Sequence, residues 1–236
     1  MIVTIFNEDR FKGTRDGIEN LLTEIAKFYG KDVLITQENR YFGNKWKERQ
    51  SMDLAAMDAA KALLVDEAII IYSDADTKWS NYKSVTDENY LSNKTFFDRL
   101  VQKIKEKLEF LLKDGDPDIN PQEIEKCLTY SLGRIILLSP CWNIESWSYF
   151  NKDEFKKIST RYKLDEVINP IIATPHGNFE EKKMSVLGEA LKKTSTSQAR
   201  KDTFNEELLS TSFPIQALYD VDKYFKVFVD DFIKML

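Results

Sequence analysis

LLVDEAIIIYSDADTKW, residues Leu63 to Trp79, is the stretch on which the reading of the chain turns. Ala68 to Tyr72 are five consecutive apolar positions with no polar alternation. That is the pattern of a strand covered on both faces, as parallel strands beneath crossover helices are. The run stops abruptly at Ser73, Asp74, Ala75 and Asp76. Two carboxylates therefore stand where the strand ends, which is where open α/β sheets bind ligands. Acids two residues apart repel each other unless a positive charge lies beside them, and a hard divalent cation with oxygen ligands is the usual answer. A solvated acidic turn is the other reading, because Asp is a common turn former. The pattern alone leaves both open.

Upstream, MIVTIF (Met1 to Phe6) reads as a first buried strand, rich in β-branched and aromatic residues, and it runs into Asn7, Glu8 and Asp9. This is a second acidic strand end. A helix is predicted from Thr14 to Tyr29, with Ile18, Leu21, Leu22, Ile25 and Ala26 on one stripe and Gly30 as its stop. KDVLIT, Lys31 to Thr36, is a second short strand, and strand, helix, strand is the elementary parallel unit. Gln37 to Gln50 is a polar loop that sets Arg40, Lys45, Lys47 and Arg49 around Tyr41, Phe42 and Trp46. It is the best local candidate for touching phosphates; a solvated loop pinned by its aromatics is the competing reading. Ser51 is expected to cap a helix whose face of Met52, Ala55, Ala56, Ala59 and Leu63 is small enough to lie close on a sheet.

Downstream, Thr77 to Asn93 is polar and reads as an irregular lid or insertion. Lys94 to Lys113 forms an amphipathic helix carrying Phe97, Leu100, Val101, Ile104, Leu108 and Leu111 on its stripe. DGDPDINP, Asp114 to Pro121, lacks the ligand spacing of a calcium loop and reads as a helix-ending turn. RIILL, Arg134 to Leu138, is the fourth buried strand. CWNIESWSYF, Cys141 to Phe150, then sets Glu145 among Trp142, Ile144, Trp147, Tyr149 and Phe150. An acid there either favours a helix start through the dipole or completes a site at another strand end. Helices are expected at Glu154 to Tyr162, Phe179 to Lys193, Ser197 to Ser210 and Asp220 to Leu236, the last with Tyr224, Phe225, Phe228, Val229 and Phe232 facing inward. The expected organisation is an α/β domain over residues 1–150, with a mainly parallel, Rossmann-like sheet of about four strands, and a helical extension over 151–236 packed on it.

The 236 residues are 42% apolar and 12% aromatic, the composition of an ordinary soluble globular protein. A net charge of −5 weighs against a dedicated DNA-binding module, although Lys103, Lys105 and Lys107 make a local basic strip. Cys127 and Cys141 have no neighbour at zinc-ligand or redox-motif spacing, so free thiols in a reducing cytosol are expected. There is no leader pattern and no apolar run near the roughly 20 residues of a membrane helix, so a cytoplasmic protein without a membrane partner is expected. His176, in TPHGN, is the single histidine, which excludes mechanisms built on two imidazoles. No Gly-x-Ser-x-Gly frame supports a catalytic triad around it, and it reads as a polar loop residue. Walker A, dinucleotide and kinase signatures are missing from the sequence.

Glu8 after the first strand, Asp74 and Asp76 after the third, and Ile144 to Trp147 (IESW) after the fourth together resemble small prokaryotic TOPRIM-like proteins, of the topoisomerase-primase fold. That superfamily carries a glutamate after its first strand and an Asp-x-Asp after its third. Several small members also have a Glu-x-Trp helix start and a Phe-rich final helix like YFKVFVDDF, Tyr224 to Phe232. The motifs are short, and their order along most of the chain carries the likeness. The resemblance implies Mg²⁺-dependent (or Mn²⁺-dependent) phosphoryl transfer or phosphodiester cleavage on nucleic acid, as in topoisomerases, primases and nucleases of phage-defence systems. It makes Glu8 a metal ligand and general acid or base, Asp74 and Asp76 the metal-holding pair, Glu145 a further carboxylate, and Lys45 and Arg49 phosphate contacts. The chain departs from the family pattern at its first motif. Glu8 is followed by Asp9 where Gly is usual, and the next acid toward the helix is Asp16. Either the loop carries an insertion, or Asn7 takes the place of the glutamate.

Two rivals stand beside this reading. SDADT after an apolar strand also looks like the Asp-x-Asp of nucleotide-sugar glycosyltransferases, which hold Mn²⁺ and often use a late histidine, for which His176 would serve. A TOPRIM-like sheet with a displaced glutamate would instead be a non-catalytic binding or regulatory module, one component of a defence or toxin pair whose protein partner does the chemistry.

Overall fold

The computed structural model describes residues 1–7, 12–36, 40–41, 49–65, 68–73, 87–140, 144–172 and 197–236, with the backbone alone at 40–41, 49–50, 87–92, 145–146, 170–172 and 197–200. The sheet consists of β1 (Ile2–Asn7), β2 (Leu34–Ile35), β3 (Arg40–Tyr41), β4 (Ala68–Tyr72) and β5 (Ile135–Leu138). Every pairing between them is parallel, in the order β2-β1-β4-β5, with β3 continuing the outer edge of β1. Leu34 pairs with Ile2 and Arg40 with Phe6, so that edge uses six residues where β1 uses four. β2 and β3 are thus one interrupted edge.

The helices, in chain order, are α1 (Lys12–Phe28), α2 (Arg49–Leu64), α3 (Asp87–Gly115), α4 (Pro121–Leu132), α5 (Ile144–Ser148), α6 (Lys152–Arg161), α7 (Asp165–Ile172), α8 (Ser197–Leu209), α9 (Ile215–Val221) and α10 (Lys223–Met235). Among the described residues the protein is α/β and mostly helical. The continuous apolar runs of β1, β4 and β5 follow from cover on both faces. Val3, Ile5, Ala68, Ile70, Tyr72, Ile136 and Leu138 face a core shared with α1 and the helices from α5 onward. Phe6, Ile69, Ile71, Ile135 and Leu137 face a second core shared with α2, α3 and α4. Strand alternation sorts neighbours in sequence onto opposite cores.

The face of α1 is the expected one, with Ile18, Leu21, Leu22, Ile25 and Ala26 all buried. α1 also lies close to α8, since a Cβ at Gly17 would meet Leu209 Cβ at 2.9 Å. Asn20 Nδ2 donates to Leu209 O at 3.0 Å and Thr211 O at 2.9 Å, satisfying carbonyls that the end of α8 leaves open. α10 packs on β5, and Trp147 of α5 meets Phe225 edge to face with 4.9 Å between centroids.

Several expected boundaries differ. α2 begins at Arg49, so Ser51 lies inside the helix and does not cap it. α3 begins at Asp87, so the segment expected to be irregular up to Asn93 is helical over its described part. Asp114 to Pro121 is the helix-ending turn expected, but it opens α4, capped by Asn120, whose Oδ1 accepts from the Gln122 N–H at 2.8 Å. The terminal helix expected from Asp220 starts at Lys223, capped by Asp222, and a separate short helix, α9, that was not expected precedes it. The helix expected over Phe179 to Lys193 lies outside the described residues. No helix among the described residues is long and apolar enough to cross a membrane.

Candidate active site at the strand ends

β1, β4 and β5 finish side by side. Asn7 pairs with Tyr72, Tyr72 pairs with Leu138, and the Ser73 N–H carries the ladder one step further by donating to Leu138 O at 3.1 Å. The chain leaves β1 to one side to make β2, then returns past it to make β4 on the other side. Crossovers of the same hand that run in opposite directions must lie on opposite faces, which is how α1 and α2 are disposed. The gap between the carboxyl ends of β1 and β4 is therefore the topological switch point, the crevice in which doubly wound sheets bind ligands.

Glu8 is the next residue after β1, and Asp74 follows Ser73 at the end of β4. Glu8, Asp74, Asp76, Lys45 and His176 themselves lie outside the described residues. Glu145 is the second residue of α5 and Arg49 the first of α2, so Arg49 is helical where a loop was expected; their side chains also lie outside the description. Among the described residues no group of three or more His, Cys, Asp or Glu side chains could hold a metal ion.

The described side chains at this edge are polar, neutral and buried. Asn7, Ser73, Asn93 and Ser139 are each less than a tenth exposed. Asn93, from α3, donates through Nδ2 to Ser139 Oγ at 2.9 Å and to Ser73 O at 3.4 Å, joining the residues that follow β4 and β5. The Tyr72 hydroxyl accepts from the Ile144 N–H at 3.4 Å, tying the start of α5 to β4. The buried cation of the neighbouring edge is Arg15, in the first turn of α1. Its guanidinium donates to Thr36 O at 2.6 Å, just beyond β2, and stands 3.6 Å from Glu19 and 4.0 Å from Asp16. Its Nε hydrogen meets no acceptor among the described residues.

Sequence reasoning placed the acids beyond the strands and passed over Asn93. A signal was there: Asn93, Phe97, Leu100, Ile104 and Leu108 follow the spacing of one helical stripe, and an amide at a core position of such a stripe needs a buried partner. Tyr72 and Ser139 gave no such signal, because a strand-end hydroxyl reads the same whether or not it bonds across the sheet. Comparison of the chain with family models, with curated proteins and with solved structures finds no match in any of the three.

Proposed function

We propose that the chain is a TOPRIM-like, Mg²⁺-dependent phosphodiester-processing protein that acts on nucleic acid at the switch point between β1 and β4. The observation that supports it is the register. It sets Asn7 against Tyr72, so that two acidic segments 66 positions apart in sequence depart from strands about 4.8 Å apart. Glu8, Asp74 and Asp76, with Glu145 from the start of α5, are the residues that would hold Mg²⁺ or Mn²⁺, a donor set of hard oxygens suited to such ions. When bound, the metal supplies charge neutralisation at phosphoryl oxygens and an activated water. Glu8 would move the proton, and Lys45 and Arg49 would hold phosphate. Without a cation, carboxylates at one rim of a chain of net charge −5 repel a polyanion, so this reading requires metal for substrate binding as well as for chemistry.

The test is cleavage of supercoiled plasmid, single-stranded DNA and RNA with Mg²⁺ or Mn²⁺, by wild type and Asp74→Ala. Wild type should cleave at least one of them in an EDTA-sensitive reaction, and Asp74→Ala should fall to the metal-free background with its far-UV circular dichroism unchanged. Equal cleavage by the two proteins, or no metal-dependent cleavage of any substrate, removes the proposal.

A further inference from the structure

The end of the sheet opposite the crevice carries apolar side chains that the fold leaves bare. Val3 and Ile35 turn into the core beside α1, so their neighbours Ile2 and Leu34, paired with each other in register, turn to the α2 face. Thr4, the next residue of β1 on that face, is fully buried, whereas Ile2 is 40% and Leu34 63% exposed. A parallel sheet is ordinarily covered on both faces, and this pair is the exception. Ile2 also lines a cleft of about 590 Å³ at the amino ends of the strands, with Met1, Val65, Tyr130, Arg134 and Met235 among its walls. Val65, which follows α2, and Tyr130, on α4, are both more than half exposed. The Tyr130 ring is braced by the Arg134 guanidinium, 4.3 Å from its centroid, which in turn donates to Leu63 O at 3.2 Å. Exposed apolar side chains gathered in this way mark a contact with another macromolecule.

The charges at the border distinguish the partner. Lys234, in the last turn of α10, lines the cleft, and Asp231 stands one turn before it, with Nζ and Oδ1 3.9 Å apart and both side chains more than half exposed. A contact about a two-fold axis brings the same patch of two copies together, so the patch must complement itself. An apolar centre does so, and so does a border that holds one cation and one carboxylate side by side, because Lys234 of each copy can face Asp231 of the other. A polyanionic partner would meet Asp231 as a repulsion. From this arrangement we infer that two copies of the chain join through this face, with Ile2, Leu34, Val65 and Tyr130 at the centre and a Lys234 to Asp231 pair on either side of the axis. The inference is independent of the strand-end acids and of any metal there.

Sedimentation velocity of the full chain over a dilution series tests it. The variants are Val65→Glu, Leu34→Glu, Lys234→Asp, Asp231→Lys, the double reversal Lys234→Asp with Asp231→Lys, and Phe110→Glu, which changes an exposed apolar residue of α3. Wild type should show a concentration-dependent dimer. Val65→Glu should weaken it about thirtyfold or more, and each single reversal about tenfold. The double reversal should return to within about threefold of wild type, and Phe110→Glu should leave the dimer unchanged. Val65 and Leu34 are exposed, so both glutamate variants should keep the far-UV circular dichroism of wild type; if one does not fold, the other carries the test. A wild type that is monomeric at every concentration overturns the inference and leaves the face to a different protein. A dimer that the glutamate variants leave intact also overturns it, since the copies then join elsewhere, and so does a double reversal no tighter than the singles.

Discussion

Replacing Asp222 by alanine tests how the last helix is fastened to the helix that carries Glu145. The Oδ1 of Asp222 accepts from the N–H groups of Tyr224 and Phe225, both at 2.9 Å, and its Oδ2 accepts from the Trp147 indole at 2.8 Å. One carboxylate therefore caps α10 and satisfies a tryptophan that is 1% exposed. Loss of an N-cap costs about 1 kcal/mol, and an indole N–H left buried without an acceptor costs about 1–3 kcal/mol. Asp222→Ala should destabilise the protein by about 2–4 kcal/mol, or roughly 5–15 °C in melting temperature for a chain of this size. Asp222→Asn should recover the cap and leave the indole facing an NH₂ donor, giving roughly half that loss. Urea unfolding followed by far-UV circular dichroism gives the free energies, and Trp147→Phe closes a double-mutant cycle. In the Trp147→Phe background Asp222→Ala should cost only the cap. Equal costs in both backgrounds would show that the indole bond contributes nothing and would refute the reasoning.

Two further substitutions probe the same side of the sheet. Gly17→Ala places a methyl 2.9 Å from Leu209 Cβ and Cδ2 and should cost about 1–3 kcal/mol by overpacking; a Leu209→Ala background removes the Cδ contacts and keeps the Cβ one, so thermal melts should show a smaller cost there, and an equal cost in both would mean that the Leu209 methyls are no part of the clash. Burial pushes the Glu24 carboxyl above the ordinary carboxylate range, against the Phe213 N–H that donates to it and the charge of Lys27, which both pull it down. A raised folded value means that its contribution to stability is full below the unfolded pKa of about 4.3 and is lost as pH rises through the folded one. Glu24→Gln keeps the acceptor and removes the charge, so its stability relative to wild type should increase from acid toward neutral pH; urea midpoints that move the opposite way would reverse the assignment.

What could be read from sequence divides along a physical line. β1, β4 and β5 were legible because two cores cover them, which turns each into an unbroken apolar run. β3 was not, because it is two residues long and its pairing depends wholly on Phe6 and Asn7 across the edge. α4 was passed over because only Ile124, Leu128 and Ser131 of its twelve residues are buried, too weak a stripe to stand out. Its start was nevertheless written plainly as Asn120 before Pro121, a cap and a first-turn proline. α9 was passed over as well, since only Ile215 and Leu218 of its seven residues are buried, and the start of α10 was placed at Asp220 when the cap is Asp222.

The acids at strand ends were visible at once, since an apolar run that stops at Asp or Glu needs no partner strand to be recognised. Which strand ends stand together is a different kind of information. Consecutive strands usually lie next to each other, and that default would have put β4 outside β3, away from β1. Instead the chain recrosses β1 between β3 and β4, and this one jump brings the carboxyl end of β1 beside that of β4. The small face of α2, with Ala55, Ala56, Ala59 and Ala60 buried, lets the returning helix lie close on the second face of the sheet while α1 holds the first. The alanines of α2 thus bear on the crevice, because they permit the crossing that makes β1 and β4 neighbours.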